Sequence, residues 1–232
     1  MALLMARRKS YKVSESQLNL FDFNRPSMPV FDKSRCEARL INYETAARMV
    51  ETYHYAHRVP SIVVAVGIFV DEVLAGVCTY GIPPNNHLCE AWGEQNKNKV
   101  IELNRLFIFD WAGRNSESWL VGQSFKLIPA PYQILISYAD TERNHIGLIY
   151  QATNWIYTGL SVRGGVQADV VLNGERLSPK AVYNRYGSVI GLNIEKQEWF
   201  PKHRYVYFLG SKKQRKQLRS ALKWPILPYP KS

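Results

Sequence analysis

Two residues near the middle of the chain have types and spacing suited to proton transfer. Asp140 stands where the apolar run Ile134-Leu135-Ile136 turns polar through Ser137 and Tyr138. Tyr150 follows in a stretch where Ile146 and Ile149 have helical spacing. Strand ends that meet helix starts are where open α/β sheets place ligands. A carboxylate and a phenol beside one crevice can act as base and acid; alternatively, Asp140 is only a helix-start carboxylate. A second group is Arg114-Asn115-Ser116-Glu117-Ser118. Arginine and hydroxyls at a helix N-terminus make an anion or carbonyl site, although the same residues suffice for a capped helix start. A third is Tyr53-His54-Tyr55-Ala56-His57-Arg58. Its rings suit stacking on a nucleobase; alternatively, its histidines merely favour a helix C-terminus. A metal site through His54, His57 and His87-x-Cys89 is a further reading, but the spacing is not that of a closed ligand set.

These residues need elements to hold them. A strand over 35–41 leads to an amphipathic helix over 43–50, with Asn42 as its cap. Residues 61–70 and 73–80 form a hairpin across Asp71-Glu72, and its first strand is apolar throughout. A loop follows over 81–86. The next strand, 97–109, carries Glu102, Asn104 and Arg105 beside Leu103 and Leu106, and alternation alone puts some of these in solvent. A helix from Asn115 or Ser116 runs to Ile128 and stops at Pro129. A strand at 134–136 is followed by a helix with its polar start at Asn144, which puts Tyr150 about two turns in. A strand over 155–158 is closed by Gly159. A hairpin turning at Asn173-Gly174 and a short helix begun by Ser178-Pro179 come before the last strand, 203–210. The expected fold is α/β (α+β), with a mixed central sheet flanked by helices and an insertion before the last strand. Residues 1–34 read as a flexible tail, 35–210 as the catalytic domain with its insertion at about 162–200, and 211–232 as a basic tail.

The motif Asn144-x-x-Gly147-x-x-Tyr150 followed by an aromatic strand resembles the last helix and strand of the GNAT acyltransferase fold, where a tyrosine commonly protonates the leaving thiolate. A narrower resemblance runs in order from about Tyr53 to Gly210. It is carried by Tyr53-His54-Tyr55 with Val59-Pro60-Ser61, Glu102-Leu103-Asn104-Arg105-Leu106 and Arg114-Asn115-Ser116-Glu117-Ser118. It continues through Ser137-Tyr138-Ala139-Asp140-Thr141, Tyr150-Gln151-Ala152-Thr153-Asn154 and Thr158-Gly159-Leu160-Ser161. These segments are similar to the phage Mom family, which converts DNA adenine to N6-carbamoylmethyladenine and so protects DNA from restriction. The resemblance implies a catalytic set of Asp140, Tyr150, Ser118 and Arg105. It also implies a base pocket of Tyr53, His54, Tyr55, Asn104 and Tyr138, and a donor site at Arg114, Asn115 and Ser116. The target amine lies inside a duplex, so the base must be flipped out. The sequence departs from GNAT enzymes at one place: Trp111-Ala112-Gly113-Arg114 lacks the glycine-rich loop that holds the coenzyme A pyrophosphate.

The bulk composition fits a nucleic-acid partner. The 232 residues carry a formal net charge of +11. Lys180, Arg185, Lys202, His203 and Arg204, interleaved with Tyr183 and Tyr186, form a candidate DNA face; a solvated charged surface is the alternative. The basic tail has no acidic residue after Glu198 and adds salt-dependent affinity. Gln17-Leu18-Asn19-Leu20-Phe21 resembles the QLxLF peptide that docks on bacterial sliding clamps, or serves as a strap on the protein's own core. Three cysteines without metal spacing suit a reducing compartment, and no apolar run is long enough for a bilayer, so a cytoplasmic location is expected and no membrane partner.

The donor is open at this level. The fold implied by the resemblance suggests acetyl-CoA. N6-glycyladenine is an isomer of the carbamoylmethyl product, so activated glycine, as in glycyl-tRNA, is a second donor. A radical route with bound Fe2+ is a third. Two other functions are compatible with the residues: a coenzyme-A-dependent N-acetyltransferase, and a non-catalytic protein that binds DNA or a sliding clamp.

Overall fold

The computed structural model describes residues 29–161, 169–172, 175–177, 179–187, 195–197 and 200–231. Seven strands form the main sheet in the order β1 (Cys36–Leu40), β2 (Val64–Val70), β3 (Val73–Gly81), β4 (Val100–Ile108), β5 (Ile134–Asp140), β10 (Lys202–Phe208), β6 (Ile156–Leu160). Every pairing is antiparallel except β4 with β5. β7 (Asp169–Leu172), β8 (Glu175–Leu177) and β9 (Glu195–Gln197) make a separate small sheet, with α5 (Pro179–Tyr186) between β8 and β9 in sequence. This is the expected mixed α/β layout, with the insertion between β6 and β10.

Local chemistry sets the ends of the elements. Asp71 and Glu72 both take positive φ, 46° and 66°, the backbone of a tight two-residue hairpin turn. Asn42 accepts from the Thr45 amide at 2.9 Å and starts α1 (Tyr43–Tyr53), which runs one turn further than the amphipathic pattern implied. α3 (Ser116–Ser124) is shorter than expected, ending before Phe125 rather than at Ile128. The largest revision concerns the stretch before Tyr150. Thr141–Arg143 form a 3-10 turn, Asn144 and Gly147 take left-handed backbone, and α4 covers only Leu148–Ala152. Tyr150 is therefore in the first turn of a short helix. A side chain at position 147 would meet the Tyr205 ring at 2.4 Å, so the close approach and the φ of 76° both require glycine there.

The strands alternate between two covered faces. α3 and α4 cover the first, where Ile101, Leu103, Leu120, Leu135, Trp155 and Tyr205 meet. The second face is covered in two parts. α1 packs on Ala65, Val77 and Phe107. α6 (Lys212–Ala221), with Trp92 and Trp224, packs on Ile134, Ile136, Val206 and Phe208. α2 (Asn86–Cys89) leads into that second part. α6 starts from a capping box of Ser211 and Gln214. Beyond it the chain crosses the outer strand: the Leu227 amide donates to the Tyr157 carbonyl at 3.0 Å, and the Tyr229 hydroxyl to the Trp155 carbonyl at 2.6 Å.

Candidate active site

β4 and β5 hydrogen-bond only over Val100–Glu102 and Ile134–Ile136, then part. Ser137 bridges them where the wedge opens. Its Oγ lies 2.7 Å from the Leu103 carbonyl oxygen and 2.7 Å from the Tyr150 hydroxyl. A carbonyl only accepts and a serine has one hydrogen, so Ser137 donates to Leu103 and the Tyr150 phenol donates to Ser137. Burial raises the Tyr150 pKa far above that of a free phenol, so the hydroxyl keeps its proton at neutral pH.

Across the wedge a bulge in β4 sets the polar residues. The register with β3 shifts between Thr79↔Arg105 and Tyr80↔Leu103, which leaves Asn104 as the extra residue. Leu103 and Leu106 pack on the α3 face, so Asn104 and Arg105 both fall on the α1 side. Simple alternation would have split them. Asn104 is fixed structurally: it accepts from Thr79 Oγ1 at 2.7 Å and donates to the Ser61 carbonyl at 2.8 Å. It anchors the bulge. Arg105 donates to the Asn104 carbonyl at 2.7 Å, while its buried Nε has no hydrogen-bond partner among the described residues. Burial lowers its pKa, opposed by the nearby Tyr55 and Glu102.

Glu102 is the acid that sequence reasoning left out. It lies on the same face of β4 as Arg105. Burial raises its carboxyl to about 7, although Arg105 and Lys202 pull it down. A carboxyl poised near neutrality is suited to taking a proton. The signal was available: Glu102 is the lone carboxylate in the apolar run Val100-Ile101-Glu102-Leu103.

The histidine–tyrosine stretch divides. Tyr53 packs on Phe107 and Phe109, with ring centroids 5.7 and 4.9 Å away, as part of the core under α1. His54 is buried, accepts from the Ala56 amide on Nδ1, and is held neutral with a pKa of about 3 by burial and then by Arg105, His57 and Arg143. The Tyr55 ring lies 4.3 Å from the His54 ring and 4.3 Å from the Arg143 guanidinium. Tyr55, His54, Arg105 and Arg143 thus form a stacked, cationic wall beside Glu102. Tyr138 projects to the α6 side, where burial raises its pKa.

Asp140 lies on the opposite face of β5 from Ser137, the face that Glu102 takes on β4. Leu135 and Ala139 pack towards α3, Ile134 and Ile136 towards α6, so Ser137 shares the first face and Asp140 the second. Three residues of strand separate them by about 10 Å. Asp140 accepts from the Glu142 amide at 3.1 Å and lies 3.3 Å from Lys202 Nζ. The alternative reading of a turn-start carboxylate describes its contacts.

The α3 start is filled by the chain itself. Asn115 has φ 71° and makes no side-chain cap. Ser116 is buried, Ser118 Oγ donates to the Asn115 carbonyl at 3.0 Å, and Arg114 is exposed. The Arg114 amide donates to the Pro29 carbonyl at 3.2 Å. A Cβ on Gly113 would meet Phe31 Cα and the Pro29 oxygen at 2.8 Å, and Phe31 packs on Trp119 at 5.5 Å. Glu117 turns its carboxyl on its own amide and on Ser116, its pKa raised by burial. A pyrophosphate at this helix start would face a carbonyl, a carboxyl and backbone already in contact. The residues here do not fit the phosphates of coenzyme A.

Three of the five expected DNA contacts are engaged internally. Lys202 meets Asp140, and His203 Nδ1 lies 2.9 Å from the Tyr157 hydroxyl. Arg204 is buried, donates to Thr158 Oγ1 at 2.9 Å and sits 3.6 Å over the Trp224 ring. Arg185, Tyr183 and Tyr186 are exposed on α5, whereas the Lys180 side chain lies outside the described residues. Gln17, Leu18, Leu20 and Phe21 lie outside them too. Among the described residues no three of histidine, cysteine, aspartate and glutamate come together as a metal site. His57 directs Nδ1 to the Glu51 carbonyl. No helix of the described residues is long and apolar enough to cross a membrane.

An antiparallel arm, a splayed parallel pair and helices on both faces define a mixed α/β protein. The chain belongs to the Mom protein family, whose profile matches residues 35–231. It is 29% identical over 199 residues to the methylcarbamoylase Mom of Escherichia phage Mu, covering 80% of each chain. Solved structures with a similar layout include an N-acetyltransferase from Staphylococcus aureus Mu50, with TM-score 0.43 and 12% identity, over 75% of this chain and 98% of that one. A spermidine N-acetyltransferase from Vibrio cholerae gives 0.45 and 12%, over 81% and 99%. The yncA protein of Salmonella typhimurium with its cofactor acetyl-CoA gives 0.46 and 8%, over 76% and 95%.

Proposed function

We propose that this protein is a transferase that converts adenine in DNA to N6-carbamoylmethyladenine, with an activated glycine as donor. Membership of the Mom family and the relation to the methylcarbamoylase of phage Mu support modification of DNA. One observation carries the chemical reading: a carboxyl near neutrality, Glu102, and a protonated phenol, Tyr150, flank the wedge.

In this reading the flipped adenine stacks on the Tyr55 wall and presents its exocyclic amine to Glu102. The amine attacks the glycyl ester carbonyl. A bond forms from N6 to the carbonyl carbon, the ester C–O bond breaks, Glu102 takes the N6 proton, and Tyr150 protonates the departing alkoxide. Arg105 stabilises the oxyanion. The free glycyl amine then attacks C6 through a five-membered ring. The C6–N6 bond breaks, the former N6 becomes the carboxamide nitrogen, and the product is an isomer that needs no further reactant. The polyanionic ester of a tRNA suits a chain of net charge +11.

The test is a defined mixture of protein, duplex DNA and tRNA charged with glycine labelled with heavy nitrogen. Nucleoside mass spectrometry is expected to find the label on the nitrogen bonded to C6. An unlabelled modified base would overturn the donor, and unmodified DNA from folded protein the whole reading.

A further inference from the structure

We infer that the basic flank of α6 is a backbone-binding site for the duplex DNA that flanks the target base. This rests on the reading that the substrate is DNA. Two of the side chains expected to hold DNA, His203 and Arg204, are committed to Tyr157 and Thr158, and a third, Lys202, is paired with Asp140. The charge has to act elsewhere, and α6 carries five cations in ten residues with no acid.

At 100° per residue, α6 has three distinct sides. Leu218 points into the sheet, where it is buried against Val206 and Phe208. Gln214, Gln217 and Ala221 lie on one flank, over an open cleft of about 530 Å³ that Lys99 and Gln133 also line. Lys212, Lys213, Arg215, Lys216 and Arg219 fall on the remaining arc, and all are exposed. Together they form a continuous strip about 10 Å long.

The strip has a direction. α6 begins just beyond Phe208, the end of β10 that pairs with Ile134, away from the wedge. It runs back along β10, and the chain beyond it reaches Trp224, which stacks on Arg204. The strip therefore starts at the far end of the sheet and leads towards the side where β4 and β5 part. It carries no aromatic side chain. Single strands are held by rings on which bases stack, whereas a rail of cations alone suits the phosphates of a duplex.

The test uses the full chain and a fluorescent duplex of about two helical turns, with affinity measured across a salt series. The variant K212Q/K216Q/R219Q is compared with K33Q/R48Q/K126Q, which removes the same charge from exposed positions elsewhere. Melting curves establish that both are folded. The α6 variant is expected to bind at least tenfold more weakly near physiological salt. Its slope of log affinity against log salt should be shallower by about 2 to 3, while the control keeps the parental slope. Equal behaviour of the two variants would overturn the α6 site and leave the DNA reading standing. A loss confined to tRNA or single strands would replace the duplex with another nucleic acid. Failure of the parental protein to bind duplex at low salt would remove the DNA reading itself.

Discussion

Ser137 Oγ is 2.7 Å from both the Leu103 carbonyl and the Tyr150 hydroxyl, so one serine both ties β4 to β5 and orients the phenol. The two duties separate under substitution. Tyr150→Phe leaves the Ser137–Leu103 bond intact and should cost no more than about 1 kcal/mol of stability. Its turnover should fall about 10²- to 10⁴-fold, the span of a lost general acid. Ser137→Ala should be the more destabilising, by about 1–3 kcal/mol, because a buried carbonyl and a buried phenol both lose a partner. Thermal melts and single-turnover nucleoside analysis on the two variants separate these effects.

Glu102 sets the expected pH dependence. Its folded pKa, about 7, lies above the ordinary 4.5, so between those values the folded protein holds a proton that the unfolded chain has lost. Stability therefore falls as pH rises through this window, by on the order of 3 kcal/mol in all. Activity should move the other way, rising through pH 7 as the base ionises. Glu102→Gln should flatten the stability profile, melt higher than the parent at pH 8 and lose turnover. A variant that keeps the parental pH–rate profile would remove Glu102 from the reaction.

Asp140 offers a contrast between Asn and Ala. Asparagine still accepts the Glu142 amide and holds the turn that leads to Arg143, whereas alanine loses both that cap and the Lys202 pair. Asp140→Asn is expected to retain most of the activity that Asp140→Ala loses, read as turnover at saturating DNA. Equal loss in both would return Asp140 to the role of base.

His54 is held neutral, with its pKa lowered to about 3 by burial beside Arg105 and Arg143. The unfolded histidine takes up a proton below about 6.5 and the folded one does not. This group therefore favours folding above pH 6.5 and loses that contribution as pH falls towards 3. His54→Gln should lessen the decline in melting temperature between pH 6.5 and 4.5.

The Pro29–Phe31 strap predicts donor selectivity. Equilibrium dialysis of the full chain with acetyl-CoA should show no saturable binding at micromolar ligand. Saturable binding there would mean that the strap yields.

Much of the architecture was legible because it rests on local rules. Asn42 as a cap, Asp71-Glu72 as a turn and the apolar β2 are each determined within a few residues. The helix around Tyr150 is shorter than its spacing implies because Gly147 adopts left-handed backbone to clear Tyr205, a partner from the far end of the chain. The site was legible in type but less so in grouping. Period-two alternation along β5 already separated Ser137 from Asp140. The β4 bulge, which keeps Asn104 and Arg105 on one side, is set by Thr79 and Ser61 and leaves no mark in the local pattern. Burial of Arg204 under Trp224 was equally invisible, since a basic residue in a basic stretch reads as surface.

The final segment has a practical meaning beyond the wedge. β6 is the outer strand of the main sheet; Leu227 takes up its Tyr157 carbonyl, and Tyr229 that of Trp155 just before it. An open outer strand is a template on which another chain can add. A version cut after Trp224, which keeps the ring that packs on Trp92 and Arg204, should therefore keep its wedge yet self-associate at high concentration, visible as a rising light-scattering mass. Protein that lacks this segment would exchange a monodisperse state for an aggregating one.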